Sequence, residues 1–336
     1  MAHNISIKNG KAEMAYSGEQ PWHGLGTRVE GLQTAQDMLR HAGLLWTVST
    51  RPMMAMSMAG PLSIAVDDYR AIVRDDNDLV MGVASNRYVP IQNTQAGEVM
   101  DALVTEGGAH VEVAGALGQG ERAWMLARIP GDFEVVKGDV VQPYALLAWG
   151  HDGKHGVAAK LTPVRVVCQN TLSMALGAKW SKTADVFIRH SGDVRIRIEY
   201  AQKAMGLLRK QTEVVQAQYR ALASASLLDT PAYFRAVLPI PAVEAPVSGA
   251  DADKLVRWEA AQRRILALFE EGKGTDIPGV RGTAWAAYNA VTEYVDHVYP
   301  VLQSGKVSAA RQQSAVFGST SDLKARALDL ALAEVS

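Results

Sequence analysis

A chain of 336 residues, 48% apolar and 21% charged, can bury one large core with a helical extension or fold as two domains. Its formal charge of −1 excludes a generic polyanion binder, and its single Cys excludes an internal disulfide or a multi-Cys zinc site, which fits a reducing cytoplasm. No apolar run approaches the roughly 20 residues of a membrane helix, and the opening MAHNISIKNGKAE lacks the apolar centre of a signal peptide, so no membrane partner is expected.

Residues 1–20 read as an arm or edge strand. Pro21-Trp22-His23-Gly24-Leu25-Gly26-Thr27 follows, its two glycines implying a tight backbone path. Thr34 caps a helix of about ten residues with Ala35, Met38 and Leu39 on one side. Leu45 to Thr50 is a strand, and the Met-rich Met53 to Met58 reads as irregular core filling. From Leu62 to Pro90 the pattern is β, with strands at Leu62–Val66, Tyr69–Arg74 and Leu79–Tyr88. The polar turn Asp75–Asp78 lacks the Gly and terminal Glu of a calcium loop and reads as solvated. Asn93 or Thr94 caps a helix through Val104 that presents Ala96, Val99, Met100 and Leu103 on one face. Val111–Ala116 and Arg122–Ile129 form a hairpin around Leu117-Gly-Gln-Gly120, a turn without the Lys of a phosphate loop.

The stretch Tyr144 to Leu176 organises the rest. Two apolar strands flank His151-Asp152-Gly153-Lys154-His155, where Asp-Gly supplies the positive φ of a two-residue hairpin turn. The second strand, Gly156 to Leu161, ends at Thr162-Pro163, because proline donates nothing to a ladder. Val164 to Cys168 is extended around Arg165, and Asn170 or Thr171 caps a short helix, Leu172 to Leu176. A charge among apolar neighbours must find a carboxylate, carbonyls or a phosphate, so Arg165 either ties down a loop or marks an anion site. Cys168 after Val-Val reads as a small buried hydrophobe rather than a nucleophile. His151, Asp152 and His155 are weighed as metal ligands and set aside, since the Asp-Gly turn breaks the helical i,i+4 convergence; no metal and no cofactor is expected.

Val186 to Arg189 is a short strand. Asp193 then opens a long helix to about Leu222, with Tyr200, Ala204, Leu207, Leu208, Val214, Val215, Tyr219 and Leu222 near heptad spacing. That face is either docked on the core, with a solvated basic side, or serves self-association or nucleic-acid binding. Leu238 to Gly249 is a Pro-rich linker, and helices follow at Ala250–Glu271, Gly282–Tyr299 and Leu323–Val335. Glu293 and His297 share a helix face as a surface pair. The fold expected is α+β: an antiparallel sheet of hairpins with packed helices over residues 1–190, then a mainly helical part over 191–336.

Several phrases resemble the phage/plasmid-like protein family, a domain of unknown function common on phages and conjugative plasmids. They are Pro21-Trp22-His23-Gly24-Leu25-Gly26, the Asp-Gly hairpin, Arg165-Val-Val-Cys-Gln-Asn-Thr171, Gly282-Thr-Ala-Trp285 with Asn289-Ala-Val-Thr-Glu-Tyr294, and Phe317-Gly318 before Lys324. The resemblance spans nearly the whole chain and implies a mobile element and the cytoplasm of a bacterial host cell. The hairpins and helix between Leu62 and Ile129 are loosely similar to phage single-strand annealing proteins at the level of fold.

Charge points to a partner. From His151 to Ser226 there are twelve Lys and Arg against five Asp and Glu, about +7, which leaves about −8 for the remainder. Basic residues alternate there and nearby with aromatics: Arg87-Tyr88, Arg122 with Trp124, Trp149 near Lys154, Lys179-Trp180-Ser181-Lys182, Phe187 with Arg189. A sequence-tolerant single-strand binder needs a cationic groove and π-faces for stacking. The expected function is therefore non-catalytic binding or annealing of single-stranded DNA in recombination, by a homo-oligomer. The binding residues expected are Lys154, Lys160, Arg165, Lys179, Trp180, Lys182, Arg189, Arg195, Arg197 and Lys203. The alternatives are an interaction protein acting on a host or phage system and, less favoured, a nuclease or other hydrolase.

Overall fold

The computed structural model describes residues 5–18, 24–58, 63–165, 186–188, 210–242, 249–298 and 319–335. In chain order the strands are β1 (Ile7–Lys8), β2 (Lys11–Ala12), β3 (Met14–Ser17), β4 (Thr27–Val29), β5 (Val48–Met56), β6 (Ser63–Arg74), β7 (Leu79–Ser85), β8 (His110–Leu117), β9 (Arg122–Arg128), β10 (Phe133–Glu134), β11 (Val140–Gly150), β12 (Val157–Arg165) and β13 (Val186–Ile188). Among the described residues the main sheet has the order β13-β12-β11-β9-β8-β3-β4, with β10 paired to β11; β3 and β4 run parallel and the other pairs antiparallel. Strands β5-β6-β7 form a separate three-stranded antiparallel meander. The α+β expectation holds, including the helical C-terminal part.

Period-two alternation explains why the central strands are buried on both faces. In β9 and β11, Trp124, Leu126, Tyr144, Leu146 and Ala148 join one apolar cluster, with Met14 and Leu117. Their neighbours Met125, Ala127, Ala145, Leu147 and Trp149 join the other, beneath α1 (Ala35–Ala42) and α2 (Asn93–Gly107). Each large side chain so buried stabilises the fold by about 1.5–3 kcal/mol.

Both helices begin and end where local chemistry dictates. Thr34 accepts from the Asp37 amide at the start of α1, and Gly43 ends it in the left-handed conformation at φ 75°. For α2 the cap lies one residue earlier than expected: the Gln92 amide donates to Gln95 Oε1 at 2.9 Å, the Gln92 side chain pairs with the Val48 backbone, and Asn93 turns inward. The expected face of α2 is buried, with Ala96, Val99, Met100 and Leu103 in the core.

Three details differ from the sequence reading. Strand β12 does not stop at Thr162-Pro163; Pro163 lies opposite Pro143 and pairing continues to Arg165. Two facing prolines are tolerated where the pair exchanges no N–H···O bonds. Met53 to Met56 is not irregular core filling but the outer half of β5, with Met54 56% and Met56 85% exposed. Glu293 is no surface residue: it is buried, and its carboxylate accepts from the Lys273 amide at 2.9 Å.

A second core is helical. Helices over residues 210–224, Thr230–Val237, Gly249–Glu271, Ala284–Glu293 and Ser319–Ala333 enclose Tyr219, Leu222, Phe234, Phe269, Trp285 and Ala327, together with Phe133, Val135 and Val141 from the β10–β11 hairpin. Trp285 Nε1 donates to buried Asp139 at 2.8 Å, fastening this core to the turn before β11. Of the heptad face, Tyr219 and Leu222 are buried here and Val214 is exposed, while Lys210 and Arg220, at other positions, are exposed. The described part of that helix is therefore docked on its own core with a solvated basic side. Its earlier positions, Tyr200 to Leu208, lie outside the described residues.

Candidate functional site

Two hairpin tips, the base of the meander and the start of α2 meet around Trp46. Arg74, the last residue of β6, is 1% exposed despite its charge. Its Nη1 donates to Glu13 Oε2 at 2.8 Å and to the Gln119 carbonyl at 2.9 Å, its Nη2 meets Glu13 Oε1, and its Nε donates to Asp76 at 2.7 Å. Ser6 Oγ donates to Glu13 at 2.6 Å, Lys8 pairs with Asp76, and the guanidinium sits 4.2 Å from the centre of the Trp46 ring. Burial works against the charge on Arg74, yet its bonds to Glu13 and Asp76 hold its pKa above the ordinary arginine value. Burial likewise opposes charge on Asp76, and the bonds from Arg74 and Lys8 hold it below the usual carboxylate value.

Gly120 permits this packing. It has φ +110°, and a Cβ there would stand 2.9 Å from Arg74 Nη1 and 3.0 Å from the Trp46 ring.

His151, fully buried, also meets Trp46, edge to face at 5.2 Å. Asn93 Oδ1 lies 2.8 Å from Trp149 Nε1 and 2.9 Å from His151 Nε2, while Asn93 Nδ2 donates to the Leu44 carbonyl at 2.9 Å. An amide oxygen only accepts, so this contact requires the proton of His151 on Nε2. Beyond it the loop 151–156 closes on Asp152. One carboxylate oxygen accepts from the Lys154 and His155 amides at 2.9 and 3.0 Å; the other meets His155 Nδ1 at 2.6 Å, and Arg122 Nε lies 3.7 Å away. Burial alone would raise the Asp152 pKa, but the hydrogen bonds from the His155 ring and the Lys154 amide bring it down to about 2. Burial lowers the Arg122 pKa against the pull of Asp152 and Glu121, and burial with the Asp152 charge pushes Tyr88 up to about 12. The connection is longer than a two-residue turn: the last pair is Ala148 with Ala158, with Gly153 at φ 75° inside the loop.

This arrangement is a fastening. It joins meander, hairpin tips and α2, and it leaves Lys154 exposed at the tip where the cation-rich segment begins. Of the other expected binding residues, Lys160 is half-buried on β12 opposite Leu146, and Arg165 ends β12 opposite Val141. Lys179, Trp180, Lys182, Arg189, Arg195, Arg197 and Lys203 lie outside the described residues, as does Cys168. Trp124 and Trp149, read as stacking faces, are instead core residues at 1% and 0% exposure. They lie in clusters on opposite faces of the sheet, and both faces are covered. Among the described residues no group of His, Cys, Asp or Glu is placed to hold a metal ion, and none of the described helices is long and apolar enough to cross a membrane.

Sequence reasoning singled out Arg165 as the Arg that must find partners and passed over Arg74. Both sit beside β-branched residues, Arg165 inside the run Val164 to Cys168 and Arg74 at the end of Ala71-Ile72-Val73-Arg74. Nothing local marks Glu13, which lies 61 positions away and supplies the partner.

A family model described as "Domain of unknown function (DUF932)" matches residues 80–324, from β7 into the last helix. No curated protein and no solved structure matches the chain.

Proposed function

This chain belongs to the family described as "Domain of unknown function (DUF932)", and on that premise we propose that it binds or anneals single-stranded DNA without catalysis, in the cytoplasm of a bacterial host carrying a phage or plasmid. The observation that carries the reading is the charge of about +7 concentrated between His151 and Ser226 in a chain of net −1. That segment starts at the exposed Lys154 on a tip anchored through Asp152, His151 and Asn93. A rigid take-off point and a local excess of cations suit a polyphosphate partner. With Trp124 and Trp149 in the core, charge is the main support.

Binding of a labelled single strand, measured across salt, tests this. Each phosphate neutralised releases condensed counterion, so the slope is about −0.7 per contact, and roughly five contacts reduce affinity about a hundredfold over a fourfold rise in salt. Lys179→Ala with Lys182→Ala flattens the slope. Trp180→Ala weakens binding by about 1–3 kcal/mol at nearly unchanged slope, because stacking carries no counterion term. Salt-independent binding, or none at low salt, overturns the proposal.

A further inference from the structure

Four of the chain's 12 methionines, Met53, Met54, Met56 and Met58, lie at positions 53 to 58. Methionine is ordinarily a core residue, and Met14, Met38, Met81, Met100 and Met125 are, each 7% exposed or less. Met54, Met56 and Met58 are the opposite: the first two are more than half exposed and Met58 is fully so. Strand geometry is the cause. Met54 and Met56 alternate onto one face of the ribbon in which β5 and β6 continue past the base of the meander. Their cross-strand neighbours on that face are Ala65 and Ser63, side chains too short to cover a thioether. None of the three methionines belongs to a buried cluster.

We infer that Met54, Met56 and Met58 form a reversible oxidation site whose co-substrate is a hydroperoxide. A lone pair on the thioether sulfur attacks the terminal peroxide oxygen, so that an S–O bond forms as the O–O bond breaks. Sulfur is oxidised by two electrons and the peroxide is reduced. The hydroxide that leaves takes the proton from the transferred oxygen, giving a sulfoxide and water. Access to the sulfur decides which methionine reacts, and among the described methionines these three offer it most. In a core the polar sulfoxide disrupts packing. Here it points into solvent, so the fold is kept while this face of the ribbon changes from apolar to polar. The same exposure admits the reductases that reverse the change, one for each sulfoxide epimer.

Treating the full chain with graded hydrogen peroxide, quenching with free methionine and mapping oxygen uptake by peptide mass spectrometry tests this. Met54, Met56 and Met58 should each gain one oxygen roughly tenfold or more faster than Met38, Met100 and Met125. With the three fully oxidised, circular dichroism and Tm should match the untreated protein, and the two methionine sulfoxide reductases should restore the original mass. Met54→Leu with Met56→Leu and Met58→Leu should abolish the fast phase and leave the rate at Met38 unchanged. Equal rates across the mapped methionines, a lower Tm once the three are oxidised, or sulfoxides that the reductases leave in place overturns the inference. DNA plays no part in the measurement, so its failure leaves the proposed function standing.

Discussion

Replacing Glu13 by Ala removes both carboxylate oxygens from the Arg74 guanidinium while leaving that side chain where water does not reach it. The two side chains are 2% and 4% exposed, so the pair is buried throughout. Removing one partner of a buried pair costs about 3–5 kcal/mol, because the remaining charge stays desolvated. Asp76, 25% exposed, the Gln119 carbonyl and the Trp46 face still meet Arg74, which places the loss at the low end, about 3 kcal/mol. At about 2–4 °C per kcal/mol for domains of 150–250 residues, Tm falls by roughly 6–12 °C. Urea unfolding of wild type, Glu13→Ala, Glu13→Leu, Arg74→Met and the pair Glu13→Leu with Arg74→Met measures the effect and, from the last three, its coupling. The double variant should recover much of the loss, since neither charge is then buried. Lys254→Ala, at an exposed pair with Asp251, is the control and changes stability by about 0.5 kcal/mol or less. A loss below about 1 kcal/mol for Glu13→Ala, or single losses that simply add, would refute the reasoning.

Asn93→Ala strips an acceptor from Trp149 and His151 and a donor from the Leu44 carbonyl; a loss of about 2–4 kcal/mol in urea unfolding is expected from groups left unpaired in the core. Gly120→Ala meets both a positive φ and the Arg74–Trp46 stack, so Tm should drop, by more than for Gly43→Ala, where a Cβ meets nothing within 4 Å. Asp152, with its pKa lowered to about 2, stabilises the fold fully above the ordinary Asp range near 4, and that contribution disappears as pH falls through 2. Urea midpoints from pH 5 to 2 should show a shallower acid decline for Asp152→Asn than for wild type. Thr34→Ala removes the cap of α1 and costs about 1 kcal/mol by the same measurement.

Local pattern determined most of the elements. Apolar runs between turn signals marked β8, β9, β11 and β12, apolar spacing marked the buried face of α2, and Thr34 marked the start of α1, because each of these signals acts over a few residues of chain. The α+β class and the helical C-terminal part follow from the order of those signals. Which aromatic faces a partner and which faces the core was not legible. Trp124 and Trp149 look alike beside basic residues whether the second face of their strands is covered or open, and only packing covers it. Exposure of Met54 and Met56 was hidden for the opposite reason: a methionine run reads as core until the strand carrying it extends past everything it packs on. Glu13, Arg74, Asn93 and His151 come together from four separate stretches, and no spacing in sequence encodes that meeting. Desolvation selects these partners, since a buried guanidinium is tolerated only where the fold brings a carboxylate to it.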